Sequence, residues 1–176
     1  MKRKEREVLK NQTCPICHKK TLTLTQEVVD IPFFGKTFIF TMFCSNCKFK
    51  QSDVESVEKK EPCKYKMIIE SEKDLNVRVV KSSTATVKLQ YIATIEPRNT
   101  SNGYVTNVEG ILRRIKEQIE FLRDTTEDEN EKKKARKLIK KITRIIWGKE
   151  KATLIIEDPE GNSAIISDKA IKTKLK

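Results

Sequence analysis

Four cysteines stand in two identically spaced pairs, Cys14-Pro15-Ile16-Cys17 and Cys44-Ser45-Asn46-Cys47. Two C-x-x-C pairs place four soft thiolates at the ends of two tight turns, where they can close a tetrahedron around one Zn²⁺. Four thiolate ligands leave no open position for water or substrate, so the chemistry on offer is structural rather than catalytic. Such pairs can also exchange disulfides, which makes a thiol-redox role the lesser alternative. His18, the only histidine, directly follows a ligand and reads as a solvent-exposed knuckle residue rather than a fifth ligand. Cys63 stands alone beside Pro62 and reads as a small buried side chain. Enzyme signals are missing: no phosphate loop of the form G-x-x-x-x-G-K-[ST], no G-x-S-x-G turn and no H-E-x-x-H occurs. One histidine nearly excludes His-based general acid–base catalysis. The expectation is a protein that is not an enzyme.

The 26 residues between the pairs are enough for a two-stranded ribbon to rise from one knuckle and return to the other. Thr21-Leu22-Thr23-Leu24-Thr25 alternates with period two, and Phe38-Ile39-Phe40-Thr41-Met42-Phe43 is a second β-prone run entering the second knuckle. Between them, Ile31-Pro32-Phe33-Phe34-Gly35-Lys36 has the Pro and Gly of a loop tip. Phe33 and Phe34 either fold back onto the protein or project into water, where aromatics on a constrained turn make contact anchors for a partner. The ribbon is placed at 13–57. Residues 1–12, with five Lys/Arg against two Glu, read as a frayed basic arm.

Residues 58–168 form the second expected unit. From Cys63 to Glu96 the chain is strand-rich, and Ala85, Val87, Leu89, Tyr91, Ala93 and Ile95 alternate with polar residues as one half-buried strand. A helical hairpin follows at about 107–147. Its first helix opens on the capping-box spacing Thr106-Asn107-Val108-Glu109 and carries the stripe Val108, Ile111, Leu112, Ile115, Ile119 and Leu122. The second opens on Thr126-Glu127-Asp128-Glu129 and carries Ala135, Leu138, Ile139, Ile142, Ile145 and Ile146. Acids at its start and eight Lys/Arg between Lys132 and Arg144 complement the helix dipole. Strands return at Thr153–Ile156 and Ser163–Ile166 around the turn Asp158-Pro159-Glu160-Gly161-Asn162. A hairpin set between strand runs suggests an insertion into a β-sandwich or barrel. The lysine-rich tail, 169–176, is expected to fray.

The 176-residue chain carries 37 Lys/Arg against 25 Asp/Glu, for a net charge of +12. That balance invites a nucleic-acid reading, because clustered cations release counterions from phosphates. The favoured explanation is a solvated Lys/Glu-rich surface, since one Trp and three Tyr are few for a surface that interleaves aromatics with charge. No apolar run approaches the roughly 20 residues that cross a bilayer, and no signal segment opens the chain. A cytoplasmic protein is expected, in a compartment that keeps thiols reduced for metal.

Four ordered blocks resemble the ZPR-type zinc-finger family: the cysteine pairs, the Ile31-Pro32-Phe33-Phe34 tip with Phe43-Cys44-Ser45-Asn46-Cys47-Lys48-Phe49-Lys50, Asp74-Leu75-Asn76-Val77-Arg78-Val79-Val80-Lys81-Ser82, and Gly103-Tyr104-Val105-Thr106-Asn107-Val108-Glu109-Gly110-Ile111-Leu112. The resemblance covers most of 14–123. It implies a mainly β fold with an α insertion: a Cys₄ zinc ribbon followed by a double-stranded β-helix (jelly-roll-like) unit carrying a helical hairpin, with one structural Zn²⁺. Eukaryotic members carry the module twice and bind translation elongation factor 1-alpha, assisting its folding; this chain has one copy and looks like the single-module archaeal form. The implied function is a non-catalytic zinc-binding protein that binds this factor and assists its folding or assembly. Candidate partner contacts are Phe33, Phe34, Val80, Lys81, Ser82 and Glu109, although helix capping explains Glu109 and close packing explains Gly110. The alternative is a zinc-ribbon protein that binds rRNA or tRNA through its basic stretches at 2–10 and 132–144.

Overall fold

The computed structural model describes residues 3–31, 35–56, 60–98 and 101–175. The zinc-ligand half is a four-stranded antiparallel meander rather than a two-stranded ribbon. It runs β1 (Arg3–Gln12), β2 (Leu22–Ile31), β3 (Gly35–Cys44), β4 (Lys50–Ser56), with neighbours in sequence paired in space. The β2–β3 register runs without a break from Leu22↔Cys44 to Ile31↔Gly35. The arm expected to fray over 1–12 is instead β1, which pairs Val8 with Thr25 and Leu9 with Leu24. Without it, β2 would present a row of unpaired backbone groups to water. Backbone pairing is indifferent to the basic side chains, and Arg6 adds an ion pair with Glu27 at 3.1 Å.

The second unit contains β5 (Cys63–Ile69), the single-turn α1 (Glu72–Leu75), β6 (Arg78–Lys81), β7 (Thr86–Leu89), β8 (Ala93–Ile95) and β9 (Tyr104–Asn107). After these come α2 (Val108–Thr125), α3 (Glu129–Ile146), β10 (Ala152–Asp158), β11 (Ala164–Ile166) and β12 (Ile171–Lys174). Two antiparallel sheets result, ordered β12-β5-β10-β7-β8 and β11-β6-β9. Strands distant in sequence pair, as in Ala152↔Ile69 to Asp158↔Cys63, which is the wrapping expected of a jelly roll. The fold is mainly β with a helical hairpin inserted between β9 and β10, as anticipated.

Three local expectations are corrected. The run through Ala85–Ile95 is not one strand: it folds back at Tyr91, whose φ of 61° is left-handed, and Ile92 N–H donates to the Leu89 carbonyl at 2.9 Å. The tail does not fray over its whole length, because β12 pairs with β5 from Ile171↔Lys66 to Lys174↔Cys63. The helices start differently. Asn107 caps α2 by accepting from Gly110 N–H at 2.8 Å, while Glu109 turns outward to Arg113. Asp128 caps α3 by accepting from Asn130 N–H at 2.7 Å. Gly110 is required for contact, since a Cβ there would lie 2.2 Å from Thr106 Oγ1.

One core joins Met67, Leu89, Leu154 and Ile156 of the larger sheet to Val108, Ile111, Leu112, Ile115 and Ile119 of α2 and Ile142 and Ile145 of α3. Leu122, at the end of the expected stripe, is 62% exposed because α2 has by then run past that core. A smaller cluster, Val29, Val54, Val80 and Ala164, is the seam between the zinc-ligand sheet and the jelly roll. Beside it Gly103 N–H donates to Asp53 Oδ1 at 2.7 Å, and a Cβ on Gly103 would meet the Val54 carbonyl at 2.6 Å. No helix among the described residues is long and apolar enough to cross a membrane.

The start of α1 is tied to the C-terminal segment through Asp74. The buried carboxylate accepts from Glu70 N–H, Ser71 N–H, the Ser71 hydroxyl and, at 2.8 Å, the Lys169 ammonium. Burial alone would raise its pKa, but Lys169 and the Glu70 and Ser71 donors outweigh it and hold the group at about 2. The folded value lies below the ordinary 3.8, so this stabilisation is complete above about pH 4 and lost as pH falls through 2. Asp74→Asn should therefore lower stability at pH 7 by about 1–2 kcal/mol, with Lys169 discounted for its solvent exposure, and flatten the loss between pH 4 and 2. Urea unfolding at pH 7 and 3 checks both; equal losses at the two pH values would refute the assignment.

Candidate metal centre

The two knuckles have the same local fold. In the first, Cys14 N–H donates to the Lys19 carbonyl at 2.9 Å and His18 N–H to the Cys14 carbonyl at 2.9 Å. In the second, Cys44 N–H donates to the Phe49 carbonyl at 2.8 Å and Lys48 N–H to the Cys44 carbonyl at 3.0 Å. Each turn is completed by a left-handed residue directly after its second cysteine, His18 at φ 58° and Lys48 at φ 62°. That conformation costs a side-chain-bearing residue about 1–2 kcal/mol, and here it turns the chain away so that both sulfurs of a pair face inward. His18 is exposed on the outside of the turn, as its position suggested.

The strand register brings the knuckles together. Ser45 N–H donates to the Thr21 carbonyl at 3.1 Å, Lys19 Nζ to Asn46 Oδ1 at 3.2 Å, and Leu22 pairs with Cys44. Cys14 Sγ lies 3.7 Å from Cys47 Sγ and Cys17 Sγ lies 3.7 Å from Cys44 Sγ, and all four sulfurs lie within 4.8 Å of one another. Zn–S bonds of about 2.3 Å require tetrahedral edges of about 3.8 Å, so the four residues are positioned to bind one zinc ion. Cys14 and Cys44 are fully buried with Leu22, against Leu24, Met42 and Phe49, which dries one side of the site.

The thiols are unequal. The Thr21 hydroxyl, 3.2 Å from Cys44 Sγ, and then the Cys47 N–H hold Cys44 down at about 6. Cys47 is favoured by the Phe49 N–H but driven up to about 12 by burial and by the neighbouring Cys44, Cys14 and Cys17. Four anionic sulfurs at this spacing require a cation, and zinc must displace the protons that otherwise hold them together. Thr21 was not recognised from sequence as a supporting residue. Its signal was the first position of the alternating run, where a hydroxyl faces the opposite knuckle.

The other candidate contacts fall in different places. Phe33 and Phe34 lie outside the described residues. Val80, Lys81 and Ser82 do not reach the surface. Val80 is fully buried in the seam, and Lys81, 3% exposed, donates to the Ser82 carbonyl at 2.8 Å with its ammonium 5.6 Å from the Tyr104 ring. Burial pushes the Lys81 pKa down, against the pull of Asp158. Ser82 donates to the buried Asp158 at 2.8 Å, which also accepts from Thr84 and Ser163. Glu109 is half-buried and pairs with Arg113 at 2.6 Å. Cys63 is a buried thiol 3.8 Å from the Ser163 carbonyl, as expected of a packing residue.

With this geometry in hand, comparison with known proteins is specific. Residues 7–62 match a family model for a ZPR1 zinc-finger domain, and residues 73–176 match one for a ZPR1 jelly-roll domain. A ZPR1-like protein of Methanocaldococcus jannaschii is 45% identical over 157 residues, covering 88% of this chain and 79% of that one. A ZPR1-like protein of Pyrococcus horikoshii is 41% identical over 167 residues, covering 92% and 75%. The zinc finger chaperone zpr1 of Schizosaccharomyces pombe is 30% identical over 161 residues, covering 86% of this chain but 33% of its own length.

Purified protein should carry one zinc per chain, and Cys44→Ser should abolish tight binding. His18→Gly should keep the metal and change stability by no more than about 1 kcal/mol, because glycine adopts the left-handed turn freely. Zinc loading should release protons and weaken as pH falls, with one further proton released once the medium drops below the Cys44 value of about 6. Metal titration in two buffers of different ionisation enthalpy measures that release; a pH-independent affinity between 5 and 8 would contradict thiolate ligation.

Proposed function

The chain belongs to the ZPR1 zinc-finger family, and from that premise we propose that it is a non-catalytic zinc-binding protein that binds translation elongation factor 1-alpha in the cytoplasm and assists its folding or assembly. The observation that carries the folding-assistance part of this reading is the match, over 86% of this chain, to a relative named a zinc finger chaperone, while the choice of elongation factor 1-alpha rests on the family resemblance. This chain spans about a third of the length of that relative and of the zinc finger protein ZPR1 homolog of Caenorhabditis elegans.

The physical arrangement supports a binding role. A Cys₄ site is coordinatively closed and serves as a clamp. The clamp fixes the knuckle end of the β2–β3 ribbon, and this reading takes Phe33 and Phe34, which lie between those two strands in sequence, as its first contact residues. The helical hairpin offers a second set, because Phe121 is 67% and Leu122 62% exposed at its turn. Exposed apolar pairs at constrained turns are suited to engage the incompletely buried surface of a folding client.

A specific observation favours the RNA reading as a second possibility. Lys133, Lys134, Lys137 and Lys140 are exposed on the outer face of α3 and form no ion pair among the described residues. A cationic stripe of this kind fits a phosphate backbone as well as a solvated surface.

Immobilised zinc-loaded protein should retain elongation factor 1-alpha from the same organism, and Phe33→Ala with Phe34→Ala should weaken that complex at unchanged zinc content. Absence of a complex in the GDP-bound, GTP-bound and nucleotide-free states would end the proposal. RNA affinity that falls steeply with salt, and is lost with Lys137→Glu and Lys140→Glu, would instead support the second reading.

A further inference from the structure

Among the described residues, the rest of the protein occupies one face of the zinc-ligand sheet. Strand alternation sends Val29, Ile39 and Val54 to the face that packs on Val80 and Ala164 of the jelly roll. The same alternation, with cross-strand pairs Leu9↔Leu24, Leu24↔Met42 and Phe40↔Asp53, sends a second apolar set to the opposite face. That face is a groove of about 490 Å³. Its floor is Leu9, Leu24, Phe40 and Met42; Leu9 is 60% exposed, and Phe40, stacked on Phe38 at 6.0 Å, joins none of the buried clusters.

The walls are acidic. Glu7 rises from β1 on one side and Glu55 from β4 on the other, with Asp53 of β4 also lining the groove while its Oδ1 accepts from Gly103 N–H. Among the described residues, every charged side chain lining the groove is thus a carboxylate, in a chain whose net charge is +12. Three strand spacings separate β1 from β4, about 14 Å in all. An α-helix with its side chains is about 10–12 Å across, so one helix fits between the walls with its apolar stripe on the floor.

We propose that this groove is a docking site for a basic amphipathic helix of a partner protein, seated by apolar residues at helical spacing and flanked by Lys or Arg against Glu7 and Glu55. Helix-in-groove recognition of this kind takes affinity from the buried stripe and selectivity from the charged walls. A second folded copy does not supply the helix. The chain's own basic amphipathic helix, α3, has Ala135, Leu138, Ile139, Ile142 and Ile145 already packed into the jelly-roll core. The inference does not require the partner to be elongation factor 1-alpha.

The chain has three methionines, and two of them make a built-in control. Met42 lies on the groove floor, whereas Met67 is 1% exposed in the jelly-roll core. Zinc-loaded full-length protein with ¹³C-methyl methionine is titrated with a synthetic peptide of about four helical turns, Leu on one stripe and Lys or Arg on its flanks. The Met42 resonance should shift saturably and Met67 should not move. A peptide with the same stripe and Glu flanks should leave Met42 in place. Glu7→Lys with Glu55→Lys should weaken the basic peptide by on the order of tenfold or more at unchanged zinc content. Leu9→Asp should weaken it as well. An unmoved Met42, an equal response to the acidic peptide, or undiminished binding by the double variant would overturn the proposal. So would a dimer in sedimentation that the double variant dissolves, since the groove would then be a self-association surface.

Discussion

The register of β2 against β3 is the constraint on which the rest of the zinc-ligand half depends, and the four thiols anchor it. Leu22 opposes Cys44 at the knuckle end, and every pair up to Ile31↔Gly35 follows from that one. A slip by one residue would exchange the faces of a strand, sending Phe40 and Met42 into the seam and Val29 or Ile39 into water. Apolar burial does little to prevent that slip here. Apart from the cysteines, only Leu22, Val29 and Val54 among this sheet's described apolar residues are buried. Metal ligation supplies the missing specification. Apparent zinc affinities in comparable small modules are worth roughly 10–16 kcal/mol near neutral pH, all of it conditional on both knuckles being in place at once. The metal therefore sets which side chains meet the jelly roll and which meet solvent, without touching either.

The jelly roll is held by a different kind of interaction. At its centre Asp158 is fully buried and accepts from Ser82 at 2.8 Å, Ser163 at 2.6 Å, Thr84 at 3.1 Å and Glu160 N–H at 2.9 Å. A carboxylate so placed is tolerable only because these donors replace water, and removing one of them would leave a buried charge underprovided. Ser82 also donates its own N–H to Ser163 Oγ, so the network links the end of β6 to the loop before β11. Immediately before it in the chain, Val80 enters the seam with the zinc-ligand sheet and Lys81 spans toward Tyr104, a ring that also stacks on Arg114 at 4.2 Å. The segment that resemblance offered as a partner surface is thus the node where both units and the α2 helix meet. A motif marks where the chain is constrained, and here the fold accounts for the constraint.

Legibility in the sequence followed the range of the physics involved. The four ligands and the apolar stripes of α2 and α3 depend on spacings of a few residues and were readable as such. The edge strands β1 and β12 were not, because an edge strand is defined by the neighbour's unpaired backbone and carries no buried face of its own; Ile171, Lys172, Thr173 and Lys174 are all exposed. The break at Tyr91 was hidden for a related reason: a left-handed turn normally announces itself with Gly or Asn, and a tyrosine 89% exposed has the turn imposed by the β7–β8 pairing around it. The helix starts were misplaced because a capping box needs its acid to reach back, and Glu109 has an arginine one turn ahead that competes for it. The groove gathers residues from 7 to 55 and becomes visible only when four strands are in register.

That distribution of charge gives the molecule two opposite surfaces. The net charge of +12, to which the exposed lysines of α3 contribute, sets the sign of the long-range field, and at physiological ionic strength that field decays over about 8 Å. A strongly cationic protein would therefore meet net repulsion at a distance, while a short cationic segment within reach of Glu7 and Glu55 would feel the local carboxylates instead. Acidic ligands would experience the converse, being drawn to the helix and rejected by the groove. Separating the two signs in this way makes selectivity a property of place on the surface rather than of net charge. A composition of +12 therefore says less about the chain's partners than the location of two carboxylates on one sheet face.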